Sequence, residues 1–100
     1  MNIEITCKTM PVTPSIREHI SYAFSKLERL DAQLINPHVI VEKDGSNIIV
    51  EARLFIPGTE LFAKASHENF QVATNRLVDK LKQQLLRHRG KINTARNQAA

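Results

Sequence analysis

Three consecutive segments between His38 and Ala65 alternate apolar and polar residues, and the breaks between them are only a few residues long. The alternation predicts strands over residues 38–43, 48–56 and 60–65. The breaks are Asp44-Gly45-Ser46-Asn47 and Pro57-Gly58, residue types that favour tight turns. Connections this short join antiparallel neighbours, so the sequence predicts a three-stranded meander.

A further strand and a helix are predicted before the meander. Ile3, Ile5 and Cys7 alternate with polar residues, which is the period of a half-buried strand. Thr13 followed by Pro14 is a typical helix start. The apolar stripe of this helix recurs at spacings of three and four as far as about Leu30, and consists of Ile16, Ile20, Ala23, Phe24, Leu27 and Leu30.

A second helix is predicted after the meander. Ser66 is the expected N-cap, with Glu68 in the first turn, and Gly90 is the expected terminator. Its apolar stripe consists of Phe70, Ala73, Leu77, Leu81 and Leu85. The chain is therefore predicted to be an α+β domain over residues 1–90, in the order β-α-β-β-β-α, with two helices on one face of a four-stranded, mostly antiparallel sheet. Residues 91–100 lack periodicity and are predicted to form a flexible basic C-terminal tail.

Composition narrows the class of protein. One hundred residues of which 42% are hydrophobic are enough for one core and too few for a second domain. A single cysteine excludes a disulfide framework, and no apolar run is long enough to span a membrane. We therefore expect a soluble cytoplasmic protein.

The positive charge is concentrated in the last third of the chain. Residues 1–68 hold seven Lys and Arg against nine Asp and Glu, whereas residues 69–100 hold seven against Asp79 alone. Such a polarised charge favours a polyanionic partner, and nucleic acid leads the candidates.

The helical period arranges these cations along two stripes. One stripe holds Arg76, Lys80, Arg87 and Lys91, and the other holds Lys82 and Arg89. The stripes flank the apolar seam, so long cationic side chains are expected on both sides of it. A purely structural role, with Lys and Arg stems packed along the edges of the core, is the alternative.

Catalysis and metal binding find little support in the residue pattern. The four histidines are scattered at no recognised ligand spacing, and no base can be assigned to activate Cys7. We expect no enzyme activity and no cofactor. Phe55 and Phe62 on the outer sheet face are candidates for base stacking or for a protein contact.

Several segments resemble the short ribosome hibernation factors, the family of hibernation-promoting factor and ribosome-associated inhibitor A, also called protein Y. The resemblance covers nearly the whole chain. The segments that carry it are Ile3-Glu4-Ile5-Thr6, Val12-Thr13-Pro14-Ser15-Ile16-Arg17, Lys26-Leu27-Glu28, Leu34-Ile35-Asn36-Pro37-His38-Val39, and Asp79-Lys80-Leu81 with Gln84-Leu85, Arg87, Arg89 and Lys91.

The resemblance implies a protein that binds the small ribosomal subunit and the intact ribosome in stationary phase or stress. It implies contacts with 16S rRNA near the decoding centre, occlusion of mRNA and of the A-site and P-site tRNAs, and inhibited translation. The rRNA-binding candidates that match the family motif are Lys80, Arg87, Arg89, Lys91, Arg17 and Lys26. Charge and position add Arg76, Lys82 and Lys8. Neither a membrane nor a small-molecule substrate is implied.

Two alternatives remain open at the level of the residues. One is a general structured-RNA-binding module or RNA chaperone, since double-stranded RNA domains also combine an α/β architecture with a basic helix. The other is a protein-interaction adaptor that uses Ile40, Ile49, Phe55 and Phe62. The length is expected to exclude the long form of the family and the acidic tail of protein Y. Whether the protein favours paired or single inactive ribosomes is left open.

Overall fold

The computed structural model describes residues 2–30 and 33–99, with side chains as far as Arg89. The elements are β1 (Glu4–Cys7), α1 (Pro14–Glu28), β2 (Ile35–Asp44), β3 (Asn47–Ile56), β4 (Thr59–His67) and α2 (Phe70–Ala99). This order, β-α-β-β-β-α, confirms the predicted α+β class.

The strands form one sheet in the order β1-β2-β3-β4. The β1 strand runs parallel to β2, because α1 crosses between them, while β2–β3 and β3–β4 are antiparallel hairpins. Gly45 and Gly58 lie in the two hairpin turns with φ angles of 62° and 93°. Residues other than glycine rarely adopt this backbone conformation. The mostly antiparallel sheet is therefore as predicted.

The β2 strand begins earlier than the sequence indicated. Its first residue is Ile35, and the register with β3 shifts between Ile35 and His38. Asn36 occupies this irregularity with a φ of 51°, a left-handed conformation that asparagine tolerates. Asn36-Pro37 therefore makes a bulge inside the strand instead of preceding it.

The start of α1 is as predicted. The Thr13 hydroxyl accepts a hydrogen bond from the Ile16 N–H at 3.2 Å, and Pro14 is the first helical residue. The helix ends at Glu28, two residues before the expected end, because the Leu30 N–H bonds the Leu27 carbonyl in a tighter turn.

The start of α2 corrects the sequence prediction. Ser66 is wrong as the N-cap, because it lies in β4 and pairs with Ile49 of β3. Asn69 caps the helix instead, since its Oδ1 accepts a hydrogen bond from the Val72 N–H at 3.1 Å. Glu68 therefore precedes the helix.

The end of α2 also differs from the prediction. The helix continues through Gly90 to Ala99, so Gly90 is not its terminator. A glycine inside a helix costs only about 1 kcal/mol relative to alanine, and residues 91–99 contain no proline that would interrupt the backbone. The division of the chain at residue 90 and the flexibility of 91–100 stay predictions, and Ala100 lies outside the described residues.

Both helices lie on one face of the sheet, and the core fills the space between these layers. The strands contribute alternate residues, among them Val39, Val41, Val50 and Leu54. The helices contribute their apolar stripes, and in α2 the stripe also includes Thr74 and Val78, which the sequence prediction missed. The Thr74 hydroxyl is satisfied within the core because it donates to the Phe70 carbonyl at 2.9 Å.

In the part of the chain that the structure describes, neither helix combines the length and the apolar character that crossing a membrane requires.

Replacing Leu81 with alanine should lower the free energy of unfolding by about 2–5 kcal/mol, because the change leaves a cavity beneath α2. Leu81 is fully buried, whereas Leu86 on the same helix is 45% exposed. Chemical denaturation of Leu81→Ala and of the control Leu86→Ala measures the difference, and the control should change stability by about 0.5 kcal/mol at most. Equal losses would contradict the placement of Leu81 in the core and of Leu86 at the surface.

Candidate nucleic-acid interface

The two helices are in contact and run in the same direction; the surface along the line where they meet is called the interhelical groove below. His19 of α1 packs against Phe70 at the start of α2, with ring centroids 5.5 Å apart. Far along both helices, the Arg89 guanidinium donates a hydrogen bond to the Leu30 carbonyl, just beyond α1. These two contacts define the flank of each helix that faces the other.

Cations border this groove from both helices. Lys26 lies two turns after His19 on the same flank of α1, and Lys82 lies two turns before Arg89 on the same flank of α2. The Lys26 ammonium lies 5.8 Å from the ring centroid of Tyr22, whose face attracts a cation. The groove therefore carries positive charge along its outer side.

Three α2 cations extend into solvent. Arg76, Lys82 and Arg87 are exposed, and they form neither a hydrogen bond nor an ion pair with the side chains described up to Arg89. Arg76 and Arg87 lie on the flank away from α1, about 16 Å apart along the helix axis. Their charges are available to an external anion.

Lys80 has a different environment from these three cations. Its ammonium donates a hydrogen bond to the Lys64 carbonyl of β4 at 2.6 Å. Since β4 is an edge strand, this carbonyl would otherwise face solvent. Lys80 is therefore anchored to the sheet edge, and part of its hydrogen-bonding capacity is used within the fold.

Gln84, one turn after Lys80, closes the same edge more completely. Its Nε2 donates to the Phe62 carbonyl at 2.6 Å, and its Oε1 accepts from the Phe62 N–H at 3.3 Å. One amide side chain thus takes the place of a neighbouring strand. The sequence prediction missed this role, and the only signal for it was the position of Gln84 on the Lys80 flank of the helix.

Arg89 is half-buried, and its bond to the Leu30 carbonyl joins α2 to the end of α1. A cation at that place also opposes the partial negative charge of the helix C-terminus. The side chain of Lys91 lies outside the described residues.

The candidates near β1 are set apart from the α2 cations. Arg17 is exposed and lines a groove of about 500 Å³ together with Asn2, Glu4 and the Asn36–Pro37 bulge. The ammonium of Lys8 lies 3.9 Å from a carboxylate oxygen of Glu42. The structure therefore places Lys26, Lys82 and Arg89 on the flanks where the two helices face each other, and it places Arg17 and Lys8 toward the opposite edge of the sheet.

The sheet face opposite the helices presents Phe55 and Phe62, each a little over 40% exposed. The Arg53 guanidinium lies 5.8 Å from the Phe62 ring centroid, and its Nε is 2.8 Å from a carboxylate oxygen of Glu60. Arg53 thus occupies space beside the Phe62 ring that a stacked base would need. Base stacking on this face stays a hypothesis.

Groups with catalytic or metal-binding chemistry are dispersed in the described part of the chain. Among those residues, no three His, Cys, Asp or Glu side chains cluster in a way that could hold a metal ion. Burial raises the pKa of the Cys7 thiol, which disfavours the nucleophilic thiolate.

Comparison with known proteins gives consistent matches along the chain. The protein-family model described as Sigma 54 modulation protein / S30EA ribosomal protein matches residues 3–93. A ribosome-associated factor Y from Haemophilus influenzae is 36% identical over 97 residues, which cover 95% of this chain and 91% of the relative. A ribosome hibernation promoting factor from Acinetobacter guillouiae is 35% identical over 99 residues, which cover 89% and 88% of the two chains.

A solved structure shares the fold. The N-terminal domain of protein Y from Thermus thermophilus superposes with a TM-score of 0.81 at 24% sequence identity, covering 88% of this chain and 99% of that domain. The β-α-β-β-β-α arrangement is therefore retained where most residues differ.

Replacing Gln84 with alanine should accelerate hydrogen exchange of the Phe62 amide, because that N–H loses its partner on α2. Exchange measured residue by residue by NMR tests this, with Gln83→Ala as the matched control, since Gln83 is exposed on the same helix. An unchanged Phe62 rate in Gln84→Ala would show that the amide does not close the β4 edge.

Proposed function

The chain belongs to the Sigma 54 modulation protein / S30EA ribosomal protein family, the family of the ribosome hibernation factors, and we propose that it silences ribosomes by binding the small subunit. In this proposal it contacts 16S rRNA near the decoding centre and occupies the space of mRNA and of the A-site and P-site tRNAs. Translation is then blocked by occlusion, without catalysis and without a cofactor.

The α2 helix carries the proposal, because its exposed cations share that helix with a single acidic residue. Arg76, Lys82 and Arg87 extend from α2 into solvent, and Asp79 is the one acidic residue after position 68. Each phosphate that such a cation neutralises releases condensed counterions, which supplies sequence-independent affinity for RNA. Lys26 extends this charge onto α1 across the groove.

The nine candidate residues then have different tasks. We propose that Arg76, Lys82, Arg87 and Lys26 provide direct phosphate contacts, with Lys91 continuing the row along α2. Lys80 and Arg89 also hold the fold together through backbone carbonyls, so they position the helix that carries the contacts. Arg17 and Lys8 reach RNA only if the ribosomal site wraps around β1.

We propose that the protein blocks the mRNA and tRNA sites as a rigid body. Both helices are anchored to the sheet, and α2 is tied to β4 and to the end of α1 by side-chain bonds to backbone carbonyls. A preorganised surface loses little conformational entropy when it binds. We propose that the protein is cytoplasmic and acts on the intact ribosome and the small subunit, with no membrane or small-molecule partner.

The double variant Lys82→Glu, Arg87→Glu should lose most affinity for the small subunit while keeping its thermal stability, because both side chains are exposed and make no hydrogen bond among the side chains described up to Arg89. Cosedimentation with purified subunits measures binding. The matched control is Lys43→Glu, Lys64→Glu, which changes the charge equally at exposed positions in the sheet. Equal losses in both double variants would overturn the assignment of the helical face.

The salt dependence gives a second measure of the same surface. If about six phosphates are contacted, log K should fall with log salt with a slope of roughly −4 to −5. Removing two contacts in Lys82→Glu, Arg87→Glu should reduce the magnitude of that slope by roughly 1.5 to 2. A slope near zero for the unmodified protein would contradict phosphate binding.

Competition distinguishes ribosome binding from general binding of structured RNA. Arbitrary short RNA duplexes should displace the protein from the small subunit weakly, whereas mRNA and tRNA bound beforehand should reduce its binding. Strong displacement by any duplex would favour the general RNA-binding module. If Phe55→Ser, Phe62→Ser abolished subunit binding while the helical-face variant did not, the adaptor role of the sheet face would be favoured.

A further inference from the structure

The two edges of the sheet differ in how many of their backbone groups are hydrogen-bonded by other parts of the chain. The β4 edge is covered at Phe62 and Lys64, where Gln84 and Lys80 satisfy three backbone groups. The outer edge of β1 has no such cover, because none of the hydrogen bonds within residues 2–30 and 33–99 reaches the backbone of Ile5 or Cys7 from outside the sheet. An open edge of this kind is a template for another strand.

The parallel ladder decides which groups point outward from β1. The Lys8 N–H bonds the Val41 carbonyl of β2, and in a parallel pair alternate residues face the neighbouring strand. Glu4, Thr6 and Lys8 therefore direct their backbone groups toward β2. Ile5 and Cys7 direct their N–H and C=O groups to the open edge.

We propose that this edge pairs with β1 of a second copy of the chain, antiparallel, about a two-fold axis at Thr6. Ile5 then lies opposite the partner's Cys7, and Cys7 opposite the partner's Ile5, so each pair exchanges two backbone hydrogen bonds. Thr6 faces its own equivalent in the non-hydrogen-bonded position. The two four-stranded sheets become one continuous sheet of eight strands.

Charge selects this register over its neighbours. With the axis at Thr6, Glu4 lies directly opposite the partner's Lys8, and the same pair recurs on the other side of the axis. Opposite charges facing each other across strands stabilise the pairing, whereas like charges destabilise it. A shift of one residue moves every side chain to the other face and separates these charges.

Apolar surface supports the same arrangement. Ile5 and Cys7 pack against the core but remain half-buried at the edge, so the partner's Cys7 and Ile5 would cover them further. The two-fold axis is perpendicular to the sheet and keeps all helices on one face.

Charges on α1 also match across the axis. Arg17 and Glu28 are eleven residues apart and lie on the flank of α1 away from α2. Because the two copies of α1 are antiparallel, Arg17 comes to the end of α1 where the partner's Glu28 lies. The strand pairing and the helix pairing are therefore complementary in the same orientation.

A disulfide test reads the register directly. At a directly opposite non-hydrogen-bonded pair the Cα atoms are about 4.5 Å apart, within the disulfide range of about 4.4–6.8 Å. The variant Thr6→Cys, Cys7→Ser should form a covalent dimer under mild oxidation. Glu4→Cys, Cys7→Ser and Lys8→Cys, Cys7→Ser should each form no covalent dimer, because equivalent residues there are about 13 Å apart, but their mixture should cross-link.

Charge reversal tests the unlinked dimer by analytical ultracentrifugation over a concentration series. Lys8→Glu should weaken association by roughly 2- to 30-fold, since two cross-strand pairs are lost. Glu4→Lys, Lys8→Glu should restore it, and the control Lys43→Glu should have no effect. Circular dichroism of each variant monitors the fold.

A chain that stays monomeric at every concentration, with no cross-link at Thr6→Cys, would overturn the proposal. Cross-linking of equal yield at positions 4, 6 and 8 in the single-position variants would also overturn it, because it would indicate random collision. Subunit binding is measured separately, so failure of this dimer is distinguishable from failure of the ribosome proposal.

Discussion

The burial of Leu77, Leu81 and Leu85 against the sheet is the packing on which the rest of the molecule depends. It fixes the rotation of α2 about its own axis, and that rotation assigns every other side chain of the helix to a flank. One flank meets the β4 edge, another meets α1, and the remainder faces solvent. The same basic helix therefore anchors the fold on two sides and exposes positive charge on the third.

The cations illustrate how position separates roles within one residue type. Lys80 and Arg89 place their donors on backbone carbonyls of other elements, while Arg87 extends away from the fold. A carbonyl at a strand edge or just beyond a helix lacks a regular partner, so a long cationic side chain satisfies it without being buried. Basic composition alone does not distinguish these roles. The cations of α2 therefore divide into anchoring residues, such as Lys80 and Arg89, and exposed residues, such as Arg87.

Much of the architecture could be predicted from the sequence, because the alternation along β2, β3 and β4 and the cap at Thr13 depend on residues close together in the chain. The errors occurred where tertiary contacts decide. Ser66 has the chemistry of a cap, but pairing with Ile49 keeps it in the sheet, and Asn69 takes that role. The bonds of Gln84 to Phe62 join residues 22 positions apart, so no local pattern could reveal them. The charge stripes were predictable, whereas the division between anchored and exposed cations was not.

The parallel pairing of β1 with β2 has a consequence for the order in which the fold assembles. The Thr6 hydroxyl and the His38 ring nitrogen Nε2 are hydrogen-bonded across β1 and β2 although the residues are 32 positions apart, while the hairpin partners Asp44 and Asn47 are almost adjacent. The conformational entropy lost in closing a loop increases with the length of the loop. The meander is therefore the part of the sheet that forms with the smallest loss of entropy. On this physical ground we expect β1 to join the sheet after the β2–β4 meander has formed.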